Sequence, residues 1–142
     1  VTVGGNLRGT RIVEVAEAAP ALFVGENQQM AAINEDGSVN LRTNPAIKGS
    51  VVSLMATGSG LWEIDLPDGV PALVPLPKPR LPVAVVIGGQ VAEVVFVGAA
   101  PGQVGLLQIN FRVPARVTSG NMAVVLRVGE VTSAVGPLLS IF

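Results

Sequence analysis

The chain has 142 residues, room for one full domain or for one β-sandwich plus part of a second. Its formal charge of −1 supplies no field for gathering nucleic acid or an anionic membrane surface. With no Cys and no His, disulfides, thiolate nucleophiles, Cys- or His-based metal sites and a Ser-His-Asp triad are all excluded. Charged residues make up 13%, half the usual share of about 25%, while hydrophobic residues reach 49%. A surface so poor in charge points to some of it being covered. The apolar runs are broken by Gly, Pro or a charge before the ~18 residues that a spanning helix needs. One Trp, four Phe and no Tyr are too few aromatics for the girdles of an outer-membrane barrel.

The 17 Gly and 11 Pro, with Val throughout, favour short strands and tight turns over long helices. In chain order, Val13 to Ala19 is the one helix-like patch, and it runs straight into Pro20. Ile12 to Val15 and Leu22 to Val24 are short apolar runs of strand character. Met30 to Asn34 and Ser38 to Leu41 flank Glu35-Asp36-Gly37, and Asp-Gly between β-prone runs signals a hairpin. Val51 to Thr57 places Val52, Leu54 and Ala56 on one face. Leu73 to Pro82 holds four prolines and should be extended. Val83 to Ile87 and Ala92 to Val97 are apolar on both faces except at Glu93, and Gly88-Gly89 joins them with the positive φ that a hairpin needs. The clearest strand is Leu107 to Val113, with Leu107, Ile109, Phe111 and Val113 on one side and Gln108, Asn110 and Arg112 on the other. Met122, Val124, Leu126 and Val128 repeat that pattern, and Val131 to Phe142 reads as a last strand bent at Gly136-Pro137.

Val1 to Gly5 echoes Val85 to Gly89, and Ala18-Ala19-Pro20 echoes Ala99-Ala100-Pro101 at almost the same offset. The echo predicts two related units. Residues 1–46 would supply the last strands and hairpin of a preceding unit, and 47–142 a complete immunoglobulin-like β-sandwich.

Taken together, several segments resemble the uncharacterised C-terminal domain, first described in Solibacter, that ends many secreted or surface proteins of soil bacteria. They are Ala19 to Phe23, Ala32-Ile33-Asn34-Glu35-Asp36-Gly37-Ser38-Val39-Asn40, Asn44-Pro45-Ala46, Gly49-Ser50 and Ala56 to Gly60. The strongest is Val86 to Val94 leading to Gly98-Ala99-Ala100-Pro101-Gly102, followed by Gln108-Ile109-Asn110 and Val113-Pro114. The resemblance implies an Ig-like sandwich related to bacterial TIG-type modules, at the C-terminal end of an exported multidomain protein, with no catalytic residues to carry over. It also implies that the Pro-rich run is an edge crossing. Leu61-Trp62-Glu63-Ile64 departs from it, in a loop that is usually more polar.

Few constellations remain that could carry chemistry. Lys48 and Ser50 would share a strand face as a Ser-Lys pair, although a Lys beside a turn Ser is the ordinary arrangement. Glu35-Asp36 and Asp65 with Asp68 offer oxygen ligands for Ca²⁺, but without EF-hand spacing, and Asp-Gly serves tight turns in any case. Gly58-Ser59-Gly60 lacks the Lys-Ser/Thr and the helix of a phosphate loop. Trp62 either stacks on a ligand or caps the open end of its own core. The sequence therefore predicts a non-catalytic structural or interaction module with no cofactor and no metal. Its partners would be a neighbouring domain or a surface protein, with homo-oligomers through apolar strands as a further expectation. The alternative is a glycan-binding module using Trp62, Asp65 and Asp68.

Overall fold

The computed structural model describes residues 2–3, 5–7, 12 and 14–142. Its strands are β1 (Thr2–Val3), β2 (Asn6–Leu7), β3 (Ala21–Leu22), β4 (Ala32–Ile33), β5 (Val51–Thr57), β6 (Val83–Ile87), β7 (Gln90–Ala99), β8 (Leu107–Arg112), β9 (Gly120–Val128), β10 (Val131–Thr132) and β11 (Leu138–Ile141). Among the described residues there is no α-helix, only a 3-10 turn at Glu26–Gln28. The protein is all-β. The strands β1 and β2 pair with each other, and the others form one antiparallel sheet in the order β10-β9-β6-β7-β8-β5-β3. β4 joins β5 on the same side as β3, and β11 joins β9 on the same side as β10. The sheet curls into a half-barrel.

Period-two alternation decides which side chains fill the concave face. Val52, Leu54 and Ala56 of β5, Leu107, Ile109 and Phe111 of β8, and Val124, Leu126 and Val128 of β9 are all buried, as their spacing predicts. Val85 and Ile87 of β6 and Ala92 of β7 complete that layer. The β6–β7 hairpin turns at Gly88 and Gly89, with φ of 54° and 83°, and places Ile87 opposite Gln90. Two consecutive positive φ angles give the right-handed twist that flanking strands need. β7 pairs with β6 through Ala92, then with β8 from Glu93 onward, and the register slips between Val94 and Phe96. A bulge there bends the strand and lets one chain segment serve both halves of the curl.

The last run, expected as one bent strand, lies along β9 in two pieces. Val131 pairs with Val128 and Leu138 with Ala123, so two extra residues are absorbed around Gly136-Pro137. Residues 18–46 and 51–141 share a single core, since Ala18, Met30, Ala32 and Ala46 pack in the same cluster as Phe111 and Leu139. Of the expected run Ile12 to Val15, Val13 lies outside the described residues; Ile12 and Val15 are 94% and 96% exposed and form no strand. In the echo at Val1 to Gly5, Val1 and Gly4 also lie outside the described residues. Ala18-Ala19-Pro20 precedes β3, whereas Ala99-Ala100-Pro101 closes β7.

The two edges of the curled sheet are joined by single bridges. Met30 N–H donates to Leu138 O at 2.8 Å, Ala46 N–H to Ser140 O at 2.9 Å and Phe142 N–H to Ala46 O at 2.9 Å. Too few backbone bonds form along this seam to satisfy it, and side chains supply the remainder. Asn40, fully buried, donates through Nδ2 to Ser140 O (2.9 Å) and to Asn34 Oδ1 (3.0 Å). Its Oδ1 accepts from Ser140 N–H (2.9 Å) and from Gln29 Nε2 (2.9 Å). The carboxamide thus pairs with Ser140 as a peptide group of a neighbouring strand would. Ser140 Oγ donates to Gln29 Oε1 (3.2 Å) and accepts from Asn121 (2.8 Å), whose oxygen accepts from Arg42 Nε at 2.7 Å.

Candidate functional site

Residues 58–82 form an excursion between β5 and β6 that holds every ligand-contact candidate read from the sequence. It begins at Gly58-Ser59-Gly60, where φ is +76° at Gly58 and +72° at Gly60. The entering chain crosses directly over this segment. A Cβ on Gly58 would sit 1.8 Å from Ala19 O, and one on Gly60 would sit 2.3 Å from Glu17 O. Ala19 N–H donates to Gly58 O at 3.0 Å. The glycines are there for close backbone approach.

Beyond them, Glu63 N–H donates to Lys78 O (2.8 Å) and Arg80 N–H to Leu61 O (2.9 Å), so 61–63 and 78–80 run side by side. The Pro-rich run then passes alongside the end of β7, with Pro77 O accepting from Ala99 N–H at 2.8 Å. Trp62 is half-buried and packs against the core. Arg80 Nε donates to Trp62 O at 2.7 Å, and an Arg80 Nη reaches Asp65 Oδ1 at 3.6 Å. Asp68-Gly69 makes a turn, with Gly69 at φ +74° and Val70 N–H donating to Pro67 O at 3.2 Å. Trp62, Asp65 and Asp68 do come together. With Leu66, Val70 and Val104 they line an open recess of about 340 Å³. The Asp65 side chain is 95% exposed, which leaves its bond to Arg80 screened by solvent.

The other candidates are occupied by turn chemistry. Ser50 Oγ donates to Ile47 O at 2.6 Å in a turn where Gly49 has φ +83°, so the hydroxyl proton points away from a role with Lys48. At the 34–38 hairpin, Asp36 Oδ1 accepts from both the Oγ and the backbone N–H of Ser38. Among the described residues no group of three or more His, Cys, Asp or Glu side chains converges to hold a metal. These bonds, the Ser38 hydroxyl first, hold the Asp36 carboxyl below its ordinary 3.8. A carboxylate with a depressed folded-state pKa adds stability above its unfolded value, and loses it as pH falls through the folded value. Carboxyl NMR titration of Asp36 should therefore give a midpoint under 3.8, and Ser38→Ala should move that midpoint upward.

The buried amide seam of Gln29, Asn34, Asn40 and Ser140 escaped the sequence reading. Its only trace is that Asn34 and Asn40 flank the hairpin, at places where its strands should turn apolar side chains inward. No helix of the described residues is long and apolar enough to cross a membrane. No protein-family model, curated protein or solved structure matches the chain.

Proposed function

We propose that this chain is a non-catalytic structural or interaction module of an exported or cell-surface multidomain protein, built as an immunoglobulin-like sandwich of the Solibacter-type C-terminal domain. The handover of β7 from β6 to β8 at Ala92-Glu93, just before its bulge between Val94 and Phe96, supports the sandwich reading, since strands commonly pass between packed sheets near such bulges. The observation that carries the functional reading is the apolar character of the 58–82 excursion. There Leu61, Ile64, Leu73 and Val74 are 66%, 56%, 73% and 84% exposed. Several exposed apolar groups carried by one segment mark a contact surface. The neighbouring domain of the parent chain, or a surface protein, would pack there.

A photo-crosslinking residue at Leu73, introduced in the full-length parent protein, tests this. One discrete adduct to another domain or to a surface protein is expected, and none from the same residue at Arg116. Equal labelling at both positions would overturn the reading. The recess holding Trp62, Asp65 and Asp68 favours the glycan alternative. Saturable binding on a glycan array, lost in Trp62→Ala, would replace the first reading by that one.

A further inference from the structure

The convex face of β9, β6 and β7 is patterned for contact with a copy of itself. Outward-facing residues of these strands fall in two cross-strand rows. In one, Val86 of β6 lies opposite Val125 of β9 and Val91 of β7. In the next, Ala84 of β6 lies opposite Arg127 of β9, and Glu93, one residue beyond the last β6–β7 pair Val85–Ala92, follows Val91 on the same face of β7. Val91 is 69% exposed and both charged residues are exposed, whereas Val86 and Val125 are half-buried. The apolar strip is confined to these strands. On β8 the outward positions become Gln108, Asn110 and Arg112, and Arg112 Nε holds Glu93 Oε2 at 3.1 Å.

We propose that this face is the interface of a homodimer, formed by a second copy of this chain packed face to face about a two-fold axis running along β6. The proposal rests on the reading of the chain as an interaction module but names a different surface and a different partner. A two-fold axis in that direction exchanges the two sides of β6 while keeping the level along the strand. Val86 then meets Val86 of the second copy and Ala84 meets Ala84, where the small side chain lets the backbones approach. Val125 meets Val91, and Arg127 meets Glu93. The opposite charges at the two ends of one row are what make the surface self-complementary, as an isologous interface requires. With the charges placed symmetrically, any two-fold packing along β6 would set like against like. Arg127 and Glu93 sit two strand spacings apart, about 10 Å, on the same face of each copy. Each dimer would therefore hold the Arg–Glu contact twice, flanking a dry valine centre.

Sedimentation equilibrium of the whole chain at low salt tests the geometry. The wild type is expected to dimerise, and Arg127→Glu and Glu93→Arg should each weaken dimerisation at least tenfold, because both contacts become repulsive. An equimolar mixture of the two variants should recover a 1:1 heterodimer of wild-type strength, since each Glu then faces an Arg again. Folding of both variants is checked by their melting temperatures, which should stay near wild type, since both sites are exposed and the Arg112–Glu93 pair that Glu93→Arg removes is a solvent-screened one. A wild type that stays monomeric at millimolar concentration would overturn the proposal. So would single variants that dimerise unimpaired, or a mixture that fails to pair. The crosslinking result at Leu73 is independent of all three outcomes, so the loss of this interface would leave the module reading standing.

Discussion

Truncating Phe111 to Ala should lower the free energy of unfolding by about 3–5 kcal/mol. Phe111 is among the largest fully buried side chains, and its strand is central. β8 lies between β5 and β7, with Phe111 opposite Val52 on one side and Val94 on the other. The antiparallel pairing fixes the backbone on both flanks, so the surroundings are poorly able to collapse into the space that a lost ring leaves. The cost should therefore lie toward the upper part of that range. Urea denaturation followed by Trp62 fluorescence measures it, with an unchanged slope showing that the denatured state is unaffected. Val95, half exposed on the convex face, is the control; Val95→Ala should cost under about 0.5 kcal/mol. A Phe111→Ala midpoint equal to wild type would mean that β8 presents its other face to the core.

Asn40→Ala should be nearly as damaging, at about 3–5 kcal/mol, and for a different reason. It removes little apolar contact but orphans the buried Ser140 N–H and Asn34 Oδ1, takes one of the two donors from Ser140 O, which keeps Ala46 N–H, and takes one acceptor from Gln29 Nε2. Each buried polar group left without a partner costs about 1–3 kcal/mol. Asn40→Asp separates hydrogen bonding from packing. It is almost the same shape, yet turns an oxygen toward Ser140 O and Asn34 Oδ1, which only accept. At neutral pH it should be at least as destabilised as the Ala variant, and it should regain part of the loss in acid, where the carboxyl gains a proton to donate. If Asp were tolerated at neutral pH, the seam would be held by packing and the amide would be incidental.

Why one of these residues was legible in the sequence and the other was not follows from the range of the forces involved. Phe111 announces itself through its neighbours at 109 and 113, because alternation is a property of a single strand. The β6–β7 and 34–38 hairpins were legible for the same reason, as Gly88-Gly89 and Asp36-Gly37 set their own backbone angles. Asn40 acts on Ser140, a hundred residues away, and nothing local distinguishes it from a turn asparagine. The exposed run at Ile12 and Val15 misled in the opposite sense, since strand-forming residues make no strand without an edge to pair with. Gly58 and Gly60 read as a loop signature, but what they accommodate, the backbone of residues 17–20, comes from another part of the chain. At the candidate recess the residue types of Trp62, Asp65 and Asp68 were visible. Their convergence depends on the pairing of 61–63 with 78–80, which no spacing rule encodes.

The seam between Asn40 and Ser140 also bears on how the protein is made. A ribosome delivers the chain from its N-terminus, so Asn40 emerges long before the strand it bonds to. Until Leu138 to Ile141 clear the exit tunnel, β9 keeps an open edge, and the Asn40 carboxamide has water in place of the Ser140 peptide groups. Contacts spanning most of the sequence form late and slow the overall rate. Closure of the seam should thus be coupled to the end of synthesis of β11. A nascent chain stalled before residue 138 should present its β3–β5 hairpin layer to proteases and chaperones, and release of the last strand should shut that window in one step.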